Sequence, residues 1–180
     1  EGGLLQYGYL DAVKLAGQPV GFNPVNISGC QLWLKADTGV ATDASGMSTW
    51  TDQSGNGHNA TRSSGTAAVA PNSVNGLPAI QFRSNPLADI SGSMFVKEQY
   101  IVWSLPNSGD WGAALGSTGT RSGYMMNPNG SFWDQNYPVA VRQNGGSYLN
   151  PNYQLSSIGT FMVLKVTGNS WDPNVRSGWR

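Results

Sequence analysis

CQLWLKADTGVATDASGMSTWTDQSGNGHNA, residues 30–60, is the stretch on which the fold turns. In CQLWLKA (30–36) Leu32 and Leu34 fall on one face and Trp33 on the other, the two-residue period of a strand. STWTD (48–52) reads as a second strand. Between and after them Gly, Asn, Asp and Ser collect, the residue types that build turns: glycine allows positive φ, and short polar side chains hydrogen-bond their own backbone.

Outward from this stretch, short apolar strands alternate with turn signals. Strands are expected at PAIQF (78–82), MFVKEQYIVWSL (94–105), GAALG (112–116), GYMM (123–126), PVAVRQ (138–143) and FMVLKVT (161–167). Asn-Gly pairs at 75–76, 129–130 and 144–145 are hairpin signals, because both residues accept positive φ. No stretch of eleven or more residues shows a 3.6-residue period, and there is no internal repeat. Many short strands with frequent turns predict a two-sheet antiparallel sandwich rather than β-α-β units.

Composition agrees with an all-β chain. The 180 residues include 24 Gly and 10 Pro, and only 11% are charged, against roughly 25% in ordinary globular proteins. Glu occurs only at Glu1 and Glu98, so residues that favour exposed helix are scarce. Seven Trp argue against disorder, since such side chains bury large areas. Formal charge is zero, with no basic stripe to neutralise phosphates, which argues against nucleic-acid binding. No apolar run approaches the ~20 residues of a membrane helix, so membrane insertion is not expected. Cys30 is the sole cysteine and reads as a small buried hydrophobe.

Residues 1–29 differ from the rest: short apolar runs (Leu4, Leu5, Tyr7, Tyr9, Leu10) are broken by Gly and Pro. They read as an arm or linker with a strand near Ala12–Leu15. The arm either docks on the sandwich or forms an assembly contact with another subunit. Residues 30–180 form the main domain. FMVLKVT has the character of a central strand, and the chain then stops at Arg180, so the domain is expected to lack its last strands here. The start at Glu1 is read as processing or excision from a longer chain.

LWLKADTGV (32–40), WTDQSGNGHNA (50–60) and NGLPAIQF (75–82), in that order and at these separations, resemble the LamG-like (laminin-G, concanavalin A-like) jelly-roll domains of bacterial and phage surface proteins. FNPVNISGC (22–30) looks like the lead-in found in such proteins. The likeness covers Phe22 to Phe82; beyond that only the strand pattern agrees. It implies a jelly-roll fold and an extracellular, cell-surface or virion-surface location. It leaves the function open, because this scaffold hosts lectins, glycosidases, adhesins and spacers alike.

Three groups of residues are candidates for chemistry. Asp52, Ser54 and Asn56 place oxygen side chains at alternate positions beside Gly55 and Gly57. Calcium takes six to eight oxygens, so the loop is a candidate metal site, and calcium occurs in branches of the family it resembles. The plainer reading is an Asx-type turn in which Asp52 and Asn56 tie their own backbone. Catalysis is poorly supplied. Glycoside hydrolysis needs a pair of carboxyl groups, and related sandwich glycosidases carry a Glu-x-Asp-x-x-Glu strand. Glu98 stands alone, and the aspartates (11, 37, 43, 52, 89, 110, 134, 172) are scattered. His58 lies in a turn with no G-x-S-x-G elbow and reads as a solvated or hydrogen-bonded side chain.

The third group is aromatic. GDWGAALG (109–116), NPNGSFWDQNYP (127–138) and GGSYLNPNY (145–153) are loop-like. They combine Trp111, Trp133, Tyr137, Tyr148 and Tyr153 with Asp110, Asp134 and Asn136. Flat apolar rings beside amides and carboxylates suit a sugar, whose C–H faces stack while its hydroxyls hydrogen-bond. The competing reading puts Trp33, Trp50, Trp103 and Trp133 in the core. The expectation is a non-catalytic carbohydrate-binding module whose partner is a glycan or cell-surface polysaccharide, with calcium as a candidate cofactor. The alternative is a structural subunit or decoration domain of a phage particle or extracellular filament, assembled through residues 1–29; a glycoside hydrolase ranks third.

Overall fold

The computed structural model describes residues 23–92, 94, 98–104, 112–116, 123–126, 132–133, 139–147 and 160–168. Within them the chain is all-β, with antiparallel sheets and one short 3-10 turn at Pro24–Asn26. That turn starts where Asn23 Oδ1 accepts from the Val25 N–H and Pro24 supplies a preset φ.

The first sheet has the order β1-β2-β3-β4. Its strands are β1 (Val40–Asp43), β2 (Gly46–Trp50), β3 (Ala60–Val74) and β4 (Leu77–Ile90). β3 and β4 form a long hairpin that turns through Asn75 and Gly76, at φ 51° and 80°. Those positive angles at both turn residues are what an Asn-Gly pair accepts, and they match the twist of the flanking strands. Val74 pairs with Leu77 across the turn and Ala60 with Ile90 at the far end.

β3 is irregular. Its register with β4 shifts at Arg62/Ser64, Ser64/Thr66 and Ala70/Val74. Gly65 sits at φ 67° in one of these bulges. Arg62 braces the region: its guanidinium donates to Met47 O at 2.9 Å and Gly65 O at 3.1 Å and pairs with Asp43. One side chain thus joins β1, β2 and β3.

The core of this sheet gathers Leu32, Leu34, Met47, Trp50, Ala67, Ile80 and Ile90, with Met94 beyond the end of β4. Burying a side chain such as Ile80 contributes about 2 kcal/mol relative to leaving it in water. Ala67 faces this core where Gly46 crosses it; a Cβ on Gly46 would collide with the Ala67 carbonyl oxygen. Glycine is required there by the close approach of two backbones.

A second sheet has the order β5-β10-β9, from β5 (Glu98–Trp103), β10 (Met162–Gly168) and β9 (Val139–Gln143). Gln99, Ile101, Trp103, Met162, Leu164 and Gln143 are buried, and the register (Trp103 with Met162, Ile101 with Leu164, Leu164 with Gln143) puts them on one face. Asn144 and Gly145, at φ 49° and 75°, turn the chain after β9, and Asn144 then exchanges hydrogen bonds with Val163. A third sheet, of order β6-β7-β8, joins β6 (Gly112–Gly116), β7 (Gly123–Met126) and β8 (Phe132–Trp133).

Several expectations change. Residues 30–36 are not a ladder strand; apart from an isolated bridge between Lys35 and Thr38, this segment is held by the loop that follows β2. Trp33 lies opposite Leu32 and Leu34, yet all three are buried, so both sides of the segment are covered. Strand β3 falls where alternation gives no strand, and so does β1. Of the expected 94–105 strand, Glu98–Trp103 is β5 and Met94 and Ser104 lie outside it; residues 95–97 and 105 lie outside the described residues. Trp33, Trp50 and Trp103 are buried, as the core reading requires. Cys30 is only half-buried. The Ala12–Leu15 strand lies outside the described residues.

Candidate functional site

The loop after β2 is the one predicted site whose side chains are described. Asp52 is 7% exposed and accepts hydrogen bonds with both oxygens. Oδ1 takes the main-chain N–H of Trp33 at 2.9 Å and that of Ser54 at 2.9 Å. Oδ2 takes the Ser54 hydroxyl at 2.7 Å and the His58 N–H at 3.1 Å. A carboxylate offers about four acceptor positions, and four donors approach this one.

The rest of the loop is arranged around it. Asn59 Oδ1 accepts from the Asp52 N–H at 2.9 Å, closing the loop from the other side. Asn56 Nδ2 reaches back to Cys30 O at 2.9 Å and Gln31 O at 3.1 Å. The Gln53 N–H donates to Trp33 O at 2.7 Å, and the Trp50 indole N–H donates to Lys35 O at 2.6 Å. The 30–36 segment therefore satisfies its backbone through a loop and a tryptophan rather than through a neighbouring strand, and this is why it is extended without a ladder. Gly55 and Gly57, at φ 90° and 76°, let the chain reverse quickly enough to aim these groups inward.

The electrostatics follow the geometry. Burial pulls the Asp52 carboxyl upward, but the donors from Trp33, Ser54 and His58 outweigh it and hold the group below its ordinary value. Burial, and then the negative charge of Asp52, push the Cys30 thiol up. His58 Nδ1 lies 2.7 Å from Ser91 O, so Nδ1 carries the proton that bridges them. His58 is thus hydrogen-bonded, in keeping with the reading of a lone turn histidine.

Asp52, Ser54 and Asn56 are brought together as the spacing predicts, in an Asx-type turn extended by tertiary hydrogen bonds. They are the residues of this loop that could hold a cation. Asp52 is the only carboxylate of the three, and a cation there would have to displace N–H and O–H donors from its oxygens. Among the described residues no three His, Cys, Asp or Glu side chains gather.

No family model, curated protein or solved structure matches the chain.

Of the aromatic group, Trp133 is in β8 and not in a loop, its backbone paired with Met125. Asp110, Trp111, Asp134, Asn136, Tyr137, Tyr148 and Tyr153 lie outside the described residues.

One further cluster leaves little trace in the sequence. Glu98 Oε1 and Lys165 Nζ form an ion pair at 2.9 Å across β5 and β10. The Lys165 ammonium also lies 5.3 Å from the Tyr100 ring centre, and the Tyr100 hydroxyl is 3.3 Å from Glu98 Oε2. Hydrogen bonding to Glu98, and then to Tyr100, raises the Lys165 pKa. Glu98 and Tyr100 are two apart, so period two alone puts them on one face. Lys165 joins them only through strand pairing between distant segments.

Proposed function

We propose that this chain is a non-catalytic recognition module, a LamG-like jelly roll that binds carbohydrate at a cell, filament or virion surface. The observation that carries the reading is the density of aromatic and amide side chains between Asp110 and Tyr153: Trp111, Trp133, Tyr137, Tyr148 and Tyr153 beside Asp110, Asp134 and Asn136. A glycan fits this mixture, since rings take its C–H faces and amides its hydroxyls.

At least three of the five described carboxylates are engaged within the fold, which favours a non-catalytic role. Asp43 is engaged by Arg62, Asp52 by backbone donors and Glu98 by Lys165. A glycosidase needs two carboxyl groups roughly 5–10 Å apart and facing a substrate, whereas each of these holds the scaffold. Calcium enters the proposal as an accessory ion, with Asp52, Ser54 and Asn56 as its candidate ligands.

A structural tile, assembled through the 1–29 arm, is the second reading. It draws on Val25 and Ile27, which are 38% and 51% exposed near the end of that arm, where apolar side chains facing water favour a partner surface.

A glycan-array screen of the folded protein, in millimolar calcium and again in EDTA, tests the first reading. Reproducible binding to one sugar class is expected, and its loss in EDTA would assign the ion a role. Absence of binding in both buffers, together with self-association that disappears when residues 1–29 are removed, would replace the module with the tile.

A further inference from the structure

Asn-Gly pairs carry a reactivity of their own: the glycine nitrogen can attack the asparagine side-chain carbonyl, because a residue without a Cβ leaves the approach open. Three such pairs are described, and their carboxamides differ. Asn56 Nδ2 is held by Cys30 O, Gln31 O and Ser54 Oγ. Asn144 Oδ1 accepts from the Val163 N–H at 2.9 Å. Asn75 is exposed at the tip of the β3–β4 hairpin, and among the described residues its side chain has no hydrogen-bond partner. A Cβ placed on Gly76 would meet nothing within 4 Å, so there is room around the turn.

We propose that Asn75–Gly76 is a site of spontaneous covalent modification, the deamidation of Asn75. Hydroxide removes the proton of the Gly76 N–H. The nitrogen then bonds to Asn75 Cγ, the Cγ–Nδ2 bond breaks, and ammonia leaves with a proton from water. Water opens the resulting five-membered imide at either carbonyl, giving aspartate or isoaspartate, and nothing is oxidised or reduced. Asn56 and Asn144 must first release a hydrogen bond, which slows each by about tenfold.

The product has consequences at this position. A negative charge appears on a chain whose formal charge is zero. Isoaspartate also routes the main chain through an additional methylene group, in a two-residue turn whose geometry sets the Val74–Leu77 pairing. The hairpin tip thereby changes charge and shape with age, without any enzyme.

The folded protein, incubated in neutral and in mildly alkaline buffer, is followed by isoelectric focusing and by peptide mapping with isoaspartate detection. An acidic species should accumulate, faster in alkali, with the modification mapped to Asn75 ahead of Asn56 and Asn144 by about tenfold. The variant Asn75→Ser should lose that species. Persistence of the species in Asn75→Ser would overturn the proposal. So would modification of Asn56, Asn144 or Asn129 while Asn75 stays intact, or the absence of any acidic species.

Discussion

The main-chain N–H of Trp33 donates to Asp52 Oδ1 at 2.9 Å, across nineteen positions of sequence. The same carboxylate takes the N–H groups of Ser54 and His58, so one buried side chain ties the 30–36 segment to the loop after β2. Asp52→Ala leaves three inward-facing N–H groups without this acceptor and should lower the unfolding free energy by about 3 kcal/mol. Asp52→Asn keeps the shape but has one acceptor oxygen and should recover part of that loss. Urea titration followed by tryptophan fluorescence measures both, since Trp33 and Trp50 flank the loop.

Asp52 also sets an acid limit. Burial opposes its ionisation, yet the donors outweigh burial and place its folded pKa below the ordinary value. A carboxyl more acidic when folded than when unfolded stabilises the fold fully above its unfolded value, about pH 4. That contribution disappears as pH falls through the folded value. Stability measured against pH should therefore drop steeply in this acid range for the native chain and more gently for Asp52→Asn.

Two glycines at positive φ should respond differently to a methyl group. At Gly46 the added Cβ would run into the Ala67 carbonyl oxygen, whereas at Gly55 nothing lies within 4 Å. Gly55→Ala should cost about 1 kcal/mol, the conformational penalty alone. Gly46→Ala adds a collision between β2 and β3 and should cost about 3 kcal/mol or more. Comparing the two melting curves separates strain from clash.

Gln99 is 2% exposed in β5, and its amide oxygen has no hydrogen-bond partner among the described residues. Its neighbours on that face are Ile101 and Trp103. Gln99→Met, of similar length and without the orphaned oxygen, should raise stability by about 1 kcal/mol in the same urea titration.

Short apolar runs bounded by turn residues are legible in the sequence itself. GAALG and GYMM match β6 and β7 at both ends, and the Asn75-Gly76 turn lies between β3 and β4 as the pair predicts. β3 is not legible in this way. ATRSSGTAAVAPNSV has no apolar alternation and contains a glycine and a proline. It is a strand because β2 and β4 flank it, and Ala60 and Ala67 are its buried positions. CQLWLKA misleads in the opposite direction, since its alternation is real but its backbone partners are a loop. In the candidate site, the Asp52–Ser54–Asn56 turn follows from spacing. The Trp33 and Gln31 contacts do not, because tertiary hydrogen bonds between distant segments leave no period behind.

The first two sheets are wired differently along the chain. β1 to β4 each pair with their neighbour in sequence, whereas β5 must wait for β10, with β6 to β9 between them. Closing a long loop costs entropy before any contact compensates for it, so local pairing comes first. Among the described residues, every strand of the first sheet is complete by Ile90. On a ribosome this sheet can assemble while β9 and β10 have yet to be made. Pulsed hydrogen exchange during refolding should find the amides of 60–90 protected before those of 98–103. The second sheet is then the late step, and the interval before it closes is when Ile101 and Trp103 are open to the wrong partner.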